Sequence, residues 1–76
     1  MEGSILLIEE YDALAAAISS ALRKFAPGRE VHVARSLNEA KALAKKIDPD
    51  LLVIDFDPPF PGLSAFLQKM QTRWPD

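Results

Sequence analysis

Two runs of four apolar residues, Ile5-Leu6-Leu7-Ile8 and Leu51-Leu52-Val53-Ile54, each pass straight into carboxylates: Glu9-Glu10 after the first, Asp55 after the second. A continuous apolar run this short reads as a strand covered on both faces, the habit of parallel sheets. Between the runs the period changes. Leu14, Ala17, Ile18, Ala21, Leu22 and Phe25 recur every three or four residues, which predicts a helix over 12–25 with Asp12 as its N-cap and Pro27-Gly28 as its stop. Glu30 to Ala34 alternates, as an edge strand with one wet face does. Ser36-Leu37-Asn38-Glu39 fits a capping box and opens a second helix with Leu37, Ala40, Leu43, Ala44 and Ile47 inward. Pro49-Asp50 introduces the strand 51–55, and beyond a proline loop Leu63, Phe66, Leu67, Met70 and Trp74 mark a third helical face.

Strand–helix units repeated three times imply parallel pairing through right-handed crossovers. The two apolar runs belong in the interior of the sheet and the alternating one at an edge, which gives the spatial order 2-1-3. In open α/β sheets ligands bind beyond the carboxyl ends of the strands, where the order reverses. Glu9, Glu10 and Asp55 all fall there, so three carboxylates from two strands are expected to converge on a shallow pocket. The competing reading is that they are solvated strand ends. His32 is expected to face solvent on its edge strand, and Lys41, Lys45 and Lys46 with Arg35 to form a solvated face.

Composition removes other classes. At 76 residues the chain is one small domain, with residues 1–4 expected as a flexible tail. No cysteine and a single histidine leave neither disulfides nor a thiolate or histidine-rich zinc site. A net charge of −2 gives no footing for nucleic acid, and no run is long enough for a membrane span. The opening Met1-Glu2-Gly3-Ser4 lacks a signal peptide's basic start, so a cytoplasmic protein is expected.

The segments "ILLIEEYDAL" and "PDLLVIDFDPPFPG", with the helix between them, resemble the response-regulator receiver domain, the CheY-like phosphoacceptor module. The resemblance covers nearly the whole chain and implies a flavodoxin-like (βα)3 half-domain. It places Glu9 and Glu10 at the family's acidic pair and Asp55 at its phosphoacceptor. Asp57 falls where a backbone carbonyl helps hold Mg²⁺, and Pro59 where the loop proline lies. Three departures qualify it. Both members of the pair are glutamates, a methylene longer than aspartate, and Mg²⁺ tolerates displaced oxygens poorly. The loop glycine, Gly62, comes one residue early. The family's domain also continues through further strands and helices that carry a hydroxyl residue and a lysine, whereas this chain reaches Trp74-Pro75-Asp76 where a fourth strand would begin.

The resemblance therefore implies a two-component signalling module rather than an enzyme, with weak Mg²⁺ binding and weak or absent phosphorylation at Asp55. Its partner would be a sensor histidine kinase or phosphotransfer protein. The alternative is a pseudo-receiver, an interaction or self-association module without phosphotransfer. With nothing beyond strand 3, a homodimer is expected, through paired strand-3 edges or exchanged third helices.

Overall fold

A computed structural model describes residues 3–55 and 61–73. The elements follow in strict alternation: β1 (Ser4–Glu9), α1 (Asp12–Phe25), β2 (Glu30–Ala34), α2 (Leu37–Ile47), β3 (Leu51–Asp55) and α3 (Leu63–Arg73). The three strands form one parallel sheet in the order β2-β1-β3. Ile5 to Glu9 lie in register with Leu51 to Asp55, and Ser4 to Ile8 with Glu30 to Ala34. This is the α/β half-domain that the alternation of periods predicts. No helix among the described residues is long and apolar enough to cross a membrane.

Handedness sets the layers. β1 to β2 is a step to one side, whereas β2 to β3 crosses back over β1, so right-handed crossovers put α1 and α2 on opposite faces. The larger core lies on the α2 side. There Leu6, Ile8 and Ala34 meet Ala40 and Ala44 of α2 and Phe66 and Met70 of α3, with Leu52 and Ile54 packed at the margin. All five inward positions expected for α2 join this cluster, as do Leu63, Phe66, Leu67 and Met70 of α3. Trp74 lies outside the described residues.

α1 departs from expectation in its rotation. Leu14, Ala17, Ala21 and Phe25 are exposed, Phe25 at 88%, while Ala15 and Ser19 are buried and Ile18 and Leu22 half-buried. The small side chains at 15 and 19 let the helix lie close over β1 and β2, the strands against which it packs. Its N-cap is Tyr11, which makes no side-chain capping bond, and not Asp12. Asp12 sits in the first turn, where its charge complements the helix dipole, and pairs with Arg35.

α2 is capped as expected, with one variation. Ser36 Oγ accepts from the Glu39 N–H at 3.1 Å, but Glu39 reaches back to the Arg35 N–H, at 2.9 Å, rather than to Ser36. Asp48 ends the helix in the left-handed region, φ 48°, its N–H donating to Ala44 O. His32 is half-buried and lies 3.2 Å from the Glu30 carboxylate, less open than an edge position suggests.

The sheet begins one residue inside the expected tail, because Ser4 already belongs to β1. Asp50 explains why. Its carboxylate accepts from the Ser4 N–H at 2.9 Å and pairs with Arg29 at 3.0 Å, while its own N–H donates to Ser4 O. A Cβ on Gly3 would collide with that carboxylate, so a larger residue there would push the Asp50 side chain aside.

Candidate functional site

The acidic strand ends sit where the topology reverses. Glu9 closes β1, Asp55 closes β3, and the two are direct partners across the ladder. Adjacent strands run about 4.8 Å apart, and partners in a parallel pair project to the same face, so the two residues are neighbours in the ladder and leave it on the same face. Their surroundings differ. Asp55 is exposed, whereas Glu9 is 1% exposed. One Glu9 oxygen, Oε2, accepts from the Tyr11 N–H at 3.1 Å. The other, Oε1, is buried with no hydrogen-bond partner. Leaving a buried polar atom unmet costs about 1–3 kcal/mol, and more for a charged group.

A buried carboxylate oxygen without a partner, on a residue in register with a second acidic residue, is the kind of donor a hard divalent cation takes. Glu9 and Asp55 are the residues that would hold it. Glu10, expected to complete the set, is exposed. Among the described residues no group of three or more acidic or histidine side chains is gathered closely enough to hold a metal. The sequence thus brings together two of the three carboxylates. Asp57 and Pro59 lie outside the described residues.

Gly62 stands at the start of α3 with φ +84°, where a side chain is strained, and a Cβ there would also lie 2.9 Å from Leu37 Cδ2. Its carbonyl accepts from the Phe66 N–H, so this glycine starts α3 as its N-terminal turn. Two features escape a reading of the sequence. One is the burial of Glu9, for which the signal is parity: positions 5, 7 and 9 share the face under α1. The other is the clasp made by Asp50, whose only trace is an aspartate immediately before a strand.

Compared with models of known protein families, with curated proteins and with solved structures, the chain matches none.

Proposed function

We propose that the chain is a receiver-type module of two-component signalling, acting in the cytoplasm, that binds a divalent cation weakly between Glu9 and Asp55. Asp55 is its phosphoacceptor position, served by a histidine kinase or phosphotransfer protein. The observation that carries this reading is the buried Glu9 carboxylate, with an unmet oxygen, in register with exposed Asp55 at the switch point. A bound Mg²⁺ would supply neutralisation of the charge on a transferring phosphoryl group. With two carboxylates close by and Glu10 exposed, that help is small, and phosphorylation is expected to be slow.

Acetyl phosphate with Mg²⁺ tests the reading. The donor's P–O bond breaks, a bond from phosphorus to Asp55 Oδ forms, and acetate leaves. Mass spectrometry should show a trace adduct that vanishes in Asp55→Asn, and Mg²⁺ titration should move the amides of Glu9, Glu10 and Asp55. Shifts confined to other residues, or an adduct that survives Asp55→Asn, would overturn it. The exposure of Glu10 favours a second reading, a pseudo-receiver that keeps the fold without phosphotransfer. It predicts no adduct at any donor concentration.

A further inference from the structure

The face of the sheet under α1 is covered unevenly. α1 lies over β1 and β2. Ile5 and Leu7 of β1 face it there, with their partners Val31 and Val33 of β2. Their partners on the other side, Leu51 and Val53 of β3, are exposed and half-buried respectively. The helix shows the matching imbalance. Leu14, Ala17, Ala21 and Phe25 form an exposed apolar stripe, while the packed face centres on Ala15 and Ser19. Ser19 Oγ is buried without a hydrogen-bond partner, and no residue of α1 belongs to the larger core.

Helix geometry tells which way the exposed stripe looks. At 3.6 residues per turn, Asp12 lies roughly 70° to one side of the packed direction and the stripe roughly 100° to the other. Asp12 pairs with Arg35, which directly follows β2. The flank of Asp12 is therefore the β2 side, and the stripe looks toward β3. Two uncovered apolar surfaces of the same chain, the stripe and the Leu51 and Val53 face, border one notch.

We propose that α1 is a rolling helix with two seats on this sheet, and that the structure shows one of them. In the other, a roll of roughly 80° toward β3 turns Leu14, Ala21 and Phe25 down onto Leu51 and Val53. Ile18 and Leu22 face the sheet in both seats and serve as the axle. Ser19 Oγ passes from burial into water, which removes the cost of its unmet hydroxyl. Val31 and Val33 give up part of their cover, so one apolar pair is exchanged for another. Close-packed interfaces favour such a jump between two arrangements over a graded shift. The Asp12–Arg35 pair exists only in the observed seat, because the roll carries Asp12 to roughly 150° from the sheet. That pair is the latch, and whatever takes Arg35 from Asp12 moves the population toward the second seat. None of this rests on the cation reading of Glu9 and Asp55.

Thiol labelling tests the roll in a chain with no cysteine of its own. Ser19 and Ala44 are equally buried, each 4% exposed, one on α1 and the other on α2. Iodoacetamide should label Ser19→Cys about tenfold faster than Ala44→Cys, because only the first is uncovered without global unfolding. Rolling keeps the helix hydrogen bonds, so the α1 amides should exchange more slowly than Ser19→Cys is labelled. Arg35→Gln, which leaves α1 unaltered, should speed labelling at Ser19→Cys severalfold and not at Ala44→Cys. Oxidation should link the double variant Ala21→Cys with Leu51→Cys within one chain, and leave Ala16→Cys with Leu51→Cys unlinked, since Ala16 faces away in both seats. Equal labelling at 19 and 44, α1 amides that open as fast as the thiol reacts, labelling indifferent to Arg35→Gln, or equal linking of the two pairs would each overturn the proposal.

Discussion

β1 and β3 carry nearly the same four residues, Ile-Leu-Leu-Ile and Leu-Leu-Val-Ile, side by side in one sheet and in register. Their surroundings differ sharply. Every residue of the first tetrad is at most 1% exposed, whereas Leu51 is 44% exposed and Leu52, Val53 and Ile54 only half-buried. The residues do not explain this; the neighbours do. β1 has a strand on each side and helices on both faces. Among the described residues β3 has one strand beside it, and α1 packs over the other two. An apolar run records what a strand is able to bury, and the rest of the fold decides how much of that is used.

Truncation in each strand is the strongest way to break the comparison. Leu7→Ala removes a fully buried side chain and should cost about 3 kcal/mol, read by urea unfolding. Leu51→Ala should cost less than about 1 kcal/mol. Equal losses would mean that β3 is as well covered in solution as β1.

The strand ends give the next largest contrast. Glu9→Met removes a buried carboxylate with one unmet oxygen, at the loss of its bond from the Tyr11 N–H, and should on balance stabilise by about 1 kcal/mol in the same assay. Asp55→Asn, at an exposed position, should stay within about 0.5 kcal/mol. A destabilised Glu9→Met would show that the carboxylate has a stabilising partner in solution beyond the Tyr11 N–H.

The smallest effects sharpen how β3 is tied to β1 at its start. Asp50→Ala loses the acceptor for Ser4 and the partner of Arg29, and should cost about 1 kcal/mol. Arg29→Ala loses only a half-exposed ion pair, worth at most about 0.5 kcal/mol. A thermal scan in which Arg29→Ala is the worse of the two would contradict the backbone clasp.

What the sequence discloses follows from the same physics. The element order and the 2-1-3 sheet are legible because the period changes at every boundary and Ser36 and Glu39 mark a helix start chemically. The face of α1 is not. The expected stripe, through 14, 17, 18, 21, 22 and 25, and the packed one, through 15, 18, 19 and 22, share Ile18 and Leu22, alanine occurs in both, and hydrophobicity favours the one with Leu14 and Phe25. Packing favours the other, because Ala15 and Ser19 permit a close approach that a leucine would block. At the site, strand order foretells that Glu9 meets Asp55. That Glu9 lies buried depends on the helix above it.

Asp50 has a consequence for alignment. A single carboxylate touches the first residue of β1 and Arg29 just before β2, and it stands itself at the threshold of β3. Sliding any strand by one position would turn its core-facing side chains to the opposite face, and it would also pull that strand's start away from this one side chain. Asp50 thus acts as an indexing pin for three strands. Its contact with Ser4 spans 46 residues, so the pin engages only after most of the chain has come together.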